Sequence, residues 1–199
     1  MTTDYDYLIN QLNLLIGFLD VSDKAVFNQI KKHDKFNLGL TIGQLYKNKY
    51  ENYSSHISTS AFILGFTHFE DFVSKRLTKF LEKYPDKNDL KVSLRVINEK
   101  GNGLTSHLAF EQSKRLTFAD KIKFIEQHII KTDAKLISEL KHANDLRNCL
   151  MHNNGMADAR LTGKYKVGKK IVLTAGQVHG FGLTTRRFAK ILGDKTNWH

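Results

Sequence analysis

Six consecutive residues, Arg147-Asn148-Cys149-Leu150-Met151-His152, hold the side-chain types needed to handle a phosphodiester. Arginine grips a phosphate through a planar fork of N–H donors, and histidine moves a proton near neutral pH. An RNA 2′-hydroxyl attacks the adjacent phosphate when a base takes its proton and an acid protonates the 5′ leaving oxygen. Cations hold the charge that develops between those steps. In that scheme His152 transfers protons, Arg147 binds the phosphate and Asn148 supplies a supporting hydrogen bond. The chemistry asks for no metal and no cofactor. No Cys or carboxylate cluster accompanies His142 and His152 to form a metal site. Cys149, the lone thiol, reads as lying off the apolar arc of its helix and without a paired base, which makes it a poor nucleophile.

The helix that must carry this motif runs from a cap at Thr132 or Asp133 to a stop at Gly155. On a helical wheel at about 100° per residue, Leu136, Leu140, Ala143, Leu146, Leu150 and Met151 share one arc. Arg147 falls inside that arc, and Asn148 and His152 fall at its edge. Arg147 and His152 are about 140° apart, so a symmetric dimer supplying two copies of each is an attractive way to complete a site. An arginine on an apolar face needs a partner, because an unpaired buried charge is prohibitive. Glu70, beside the phenylalanine stripe of another helix, is the expected partner that positions the guanidinium. A Glu70–Arg147 pair of purely structural purpose, with His152 merely a favourable charge at a helix C-terminus, explains the same placement.

The remaining elements read as helices. Apolar residues recur at helical spacing over 5–19 and 23–33, with a break expected at Asp20 or Ser22. Residues 37–50 are ambiguous. The strongest helix spans about 54–84 and stops before Pro85. Phe62, Phe66, Phe69, Val73, Leu77 and Phe80 form one stripe on it. Ile57, Ala61, Leu64 and Phe72 form a second, which implies cover on two sides by the bundle and a second subunit. Gly101-Asn102-Gly103 reads as a loop, and a helix over 117–130 precedes the motif helix. Beyond Gly155 the pattern changes: 165–174 reads as a short β-hairpin turning at Gly168-Lys169, followed by a last helix over 176–192. The fold class is therefore all-α, a helical bundle with a small C-terminal β-hairpin and a final helix, forming one domain over 1–199.

The chain carries 31 Lys+Arg against 20 Asp+Glu, and the excess is concentrated late. From Asp158 to His199 there are nine basic residues and two acids, a balance of +7 in that segment. Lys164, Lys166, Lys169 and Lys170 on the hairpin and Arg186, Arg187 and Lys190 on the last helix are expected to contact the phosphates of a nucleic acid. A solvated, solubilising face accounts for the same charges. One cysteine suits a reducing compartment, and the sequence shows neither a signal peptide nor an apolar run long enough to span a membrane. A cytoplasmic location, with no membrane partner, is the expectation.

The motif 147–152, late in a long helix of an all-helical chain, resembles the RxxxxH signature of the HEPN superfamily (higher eukaryotes and prokaryotes nucleotide-binding domain). Asparagine directly after the arginine is frequent there. The segment from Ser60 to Phe72, with Glu70 after Phe69, resembles the family's earlier core helix. The resemblance covers about residues 50–155, leaving the N-terminal helices and the basic 158–199 segment as elaborations. It implies a HEPN-like bundle that dimerises to bring two motifs into one cleft. It further implies a metal-independent RNA endonuclease serving as a toxin or in anti-phage defence, with RNA as substrate and an antitoxin or defence-system protein as partner. The alternative within the same resemblance is a non-catalytic module that binds nucleotide, nucleic acid or a partner protein.

Overall fold

The computed structural model describes residues 3–34, 40–90 and 94–194, apart from the side chains of 23, 26–53, 94, 95 and 194. Seven helices are seen among them: α1 (Asp4–Asp34), α2 (Leu40–Lys83), α3 (Leu94–Lys100), α4 (Leu104–Arg115), α5 (Phe118–His128), α6 (Ala134–His152) and α7 (Ala175–Asp194). No strand forms among the described residues, and no helix there is long and apolar enough to cross a membrane.

The axis of the bundle is α2, which at 44 residues extends about 66 Å. Its phenylalanine stripe is the core. Phe62, Phe66 and Phe69 are sealed from solvent, and Phe181 of α7 lies against all three at 4.9, 5.9 and 6.4 Å between ring centroids. Phe118 of α5 packs on Phe66 and Phe69, and Phe188 of α7 on Phe69. Further along, Leu77, Phe80 and Leu81 enclose Ala109 of α4. The opposite side of α2 receives α1 in antiparallel sense, with Leu12 and Leu15 against Gly65 and Lys79 paired to Asp4. Both stripes are thus covered within one chain. Ala61 and Phe72 are buried and only Leu64 of the second stripe is exposed, so among the described residues of α2 neither stripe is left for a second subunit to cover.

Local chemistry sets the ends. Thr117 caps α5, its hydroxyl oxygen accepting from the Asp120 N–H at 3.2 Å. Asp133 rather than Thr132 caps α6, accepting from the Lys135 N–H at 2.9 Å. Thr174 and Gln177 form a reciprocal capping box at the start of α7: the Thr174 N–H donates to Gln177 Oε1 at 2.9 Å and the Gln177 N–H to Thr174 Oγ1 at 3.3 Å.

Four expectations are corrected. No break divides the first helix at 20–22, where neither Gly nor Pro interrupts the chain; the side chains of Val26, Phe27 and Ile30 lie outside the described residues. The central helix starts at Leu40, so the ambiguous segment is largely helical. Gly101–Gly103 is a 3₁₀ turn linking α3 to α4.

The β-hairpin is absent. Gly168 does take positive φ (+74°), but as the third residue of a turn closed by the Lys169 N–H on the Lys166 carbonyl at 3.0 Å. The chain after that turn pairs with residues 155–157 instead of with 165–167. The Ala157 N–H donates to Lys169 O at 2.9 Å, Ile171 N–H to Gly155 O at 2.7 Å, and Met156 bridges Lys170. Residues 155–157 thus take the backbone hydrogen bonds that a hairpin strand over 168–171 would need, and Ile171–Leu173 lead on to the Thr174 cap. Those three run extended into α7, with Ile171 and Leu173 buried and Val172 exposed between them.

Candidate functional site

The motif occupies the last two turns of α6, and its residues face different ways. Arg147 is half-buried, and its Nη1 donates to the Asn148 side-chain carbonyl at 3.1 Å. His152 is exposed at the last residue of the helix, beside the exposed Met151. No hydrogen bond or ion pair among the described residues joins His152 to Arg147 or Asn148. The fold therefore brings Arg147 and Asn148 together and leaves the imidazole pointing to solvent.

Behind His152 the chain reverses sharply. Asn153 caps α6, then Asn154 (φ +52°) and Gly155 (φ +74°) take the left-handed conformation, and the Gly155 N–H returns to Cys149 O at 3.2 Å. Asn153 Nδ2 donates to Asp158 at 2.9 Å. Asp158 in turn grips Arg160 through Nε at 3.1 Å and Nη2 at 2.6 Å, and this contact holds the Asp158 carboxyl well below the usual carboxylate range. The placement of Cys149 differs from expectation: it is sealed from solvent beneath this turn. Burial pushes its thiol pKa up, so it is an inert core residue.

Glu70 does not meet Arg147. Its carboxylate faces the buried Lys121 ammonium of α5 at 3.7 Å, and the same ammonium donates to Ser74 Oγ at 2.8 Å. The reason is the level at which α6 crosses α2. Ala143 and Leu146 share a cavity wall with Phe62, and Leu150 shares another with Thr59. Arg147 lies between these levels, and Glu70 is eight to eleven residues further along α2, roughly 12–16 Å away.

A groove of 360 Å³ opens at this end of α6, between Leu150, Asn154, the start of the α2 core at His56 and Thr59, and Lys170. Lys170 was anticipated as a phosphate contact. His56 and Asn154 were not, and nothing in the sequence relates His56 to a motif some ninety residues later. The basic residues fall in two groups. Lys164, Lys166, Lys169 and Lys170 are exposed on the segment linking α6 to α7. Arg187 and Lys190 are exposed on the second half of α7, while Arg186 turns inward and donates to Asn13 of α1. Arg186 is thereby tied to the first helix. Lys195 lies outside the described residues.

Comparison with protein-family models, curated proteins and solved structures gives no match to this chain.

Proposed function

We propose that this chain is a HEPN-type ribonuclease that cleaves RNA without a metal ion, acting as a homodimer in a cytoplasmic toxin or anti-phage role. The observation that carries the reading is the open end of α6, where Asn148 holds the Arg147 guanidinium at 3.1 Å while His152 stands free in solvent. An oriented guanidinium suits a phosphate, and a free imidazole suits proton transfer.

The reaction uses the RNA's own nucleophile. One imidazole takes the 2′-hydroxyl proton, the 2′-oxygen attacks phosphorus, and the bond to the 5′-oxygen breaks as a second imidazole supplies its proton. The products are a 2′,3′-cyclic phosphate and a 5′-hydroxyl. Two copies of His152, one from each protomer, provide the acid and the base, and the angular gap between Arg147 and His152 on one helix is the reason for a composite site. The groove with Lys170 and His56 gives the RNA backbone a path past the motif. An antitoxin or defence-system protein is the expected partner.

A second reading, a non-catalytic module that keeps Arg147 for structure, is favoured by the half-buried position of that residue and its lack of contact with His152. Incubating the protein with mixed RNA in EDTA, beside His152→Ala, separates the two. Cleavage that needs His152 supports the first, and intact RNA supports the second.

A further inference from the structure

A second concavity, of 410 Å³, lies between α6, α7 and the chain around Tyr165. None of its lining residues belongs to the motif or to the groove at the end of α6. Its volume falls in the usual range for small-molecule sites, about 300–1,000 Å³. Phe62, Leu146 and Phe181 give it an apolar, aromatic wall.

The polar groups sit at two ends. At one end Glu139 Oε2 accepts from Thr184 Oγ1 at 2.8 Å, leaving Oε1 with no donor among the described residues. At the other end Lys164 has no carboxylate within ion-pair distance among the described residues. Gln177 donates there to the Tyr165 hydroxyl at 3.0 Å, and the Tyr165 and His142 rings lie 17° from parallel. Thr184, beside Glu139, and Gln177, beside Tyr165, are two turns or about 10 Å of rise apart along α7.

A carboxylate acceptor, an aromatic wall and an exposed cation, in that order, match the base edge, ring and phosphate of a nucleotide. We propose that this cavity binds a guanine nucleotide, with the base edge on Glu139 and the phosphate on Lys164. Guanine alone of the common bases presents adjacent N1–H and N2–H donors, and both satisfy one carboxylate. Adenine and cytosine set a lone pair beside their amino group, which a carboxylate repels. The nucleotide enters free or as a guanosine residue of an RNA strand. The second case rests on the ribonuclease reading, since Leu146 precedes His152 by about 9 Å of helix and an RNA strand reaches both.

Equilibrium dialysis of the full chain against GMP and AMP, and against the uncleavable 2′-O-methyl tetranucleotides UUGU and UUAU, tests the site apart from any cleavage. The guanine member of at least one pair should bind about tenfold or more tightly than its adenine counterpart. Glu139→Gln should abolish that preference. Lys164→Gln, at an exposed position, should weaken GMP and AMP together while leaving guanosine unchanged. Preference in the mononucleotides alone assigns the site to free nucleotide, and preference in the tetranucleotides assigns it to RNA. Equal binding within both pairs, or a guanine preference that survives Glu139→Gln, overturns the proposal.

Discussion

Two cations illustrate what a single residue does in this fold. Lys121 is buried, and its ammonium is satisfied by Ser74 and Glu70, so truncation to Ala should cost about 1–3 kcal/mol in chemical denaturation. Arg147 is half-buried with Asn148 as its partner, and Arg147→Ala should match His152→Ala in stability to about 1 kcal/mol. Both motif variants should nevertheless lose cleavage by about 100-fold or more. An Arg147→Ala protein that unfolded far more easily than His152→Ala would mean that the guanidinium serves the core. His142 reports on its cavity in another way. Burial, and then the charge of Lys164, hold its pKa below 6.5, against an opposing pull from Asp145. Folding therefore favours the neutral ring: its contribution is complete above pH 6.5 and diminishes as pH falls through the lower, folded value. The melting temperature of His142→Gln should drop less between pH 7.5 and 5.5 than that of the parent, and equal drops would mean that this imidazole is not desolvated.

At the scale of elements, α7 carries a glycine whose freedom serves nothing visible. Gly180 lies inside the helix, and a Cβ there would meet no atom within 4 Å. Gly180→Ala should stabilise the protein by about 0.5–1 kcal/mol in a denaturant titration. Gly168→Ala should do the reverse, because φ is +74° at that turn. The helices themselves were legible in the sequence wherever an apolar stripe met a signal for a helix end: the start near Thr117 and the stop before Pro85 stand, and of the two caps offered, Thr132 or Asp133, the second is used. The hairpin was misread because alternation marks an extended chain without naming its partner, and residues 155–157 compete successfully for 168–171. Glu70 was misassigned for a related reason. Periodicity gives the face of a residue but not the level at which two helices cross, and at the level of Glu70 it is Lys121 of α5 that supplies the charge. Of the candidate site, the motif and Lys170 were visible beforehand, while His56 could be found only once α2 and α6 lay side by side.

For the whole molecule, the formal charge of +11 is the broadest feature, and with it the proposed function predicts salt-sensitive binding of RNA. Replacing Lys169 and Lys170 by Gln should flatten the plot of log affinity against log salt by about 1.4, the value for two phosphate contacts on a single strand. Cleavage at saturating RNA should stay nearly unchanged; an unaltered slope would assign these lysines to solubility alone. A composite site further requires two chains, and light scattering at micromolar concentration should find a dimer whose contacts include α6. Full activity from a monomer would refute the shared cleft. The decisive measurement is the chemistry of the cut ends. Mixed RNA treated with the protein in EDTA should yield 2′,3′-cyclic phosphate and 5′-hydroxyl termini, with none from His152→Ala and none from DNA. Activity that vanished in EDTA and returned with Mg²⁺, or that persisted in His152→Ala, would contradict it.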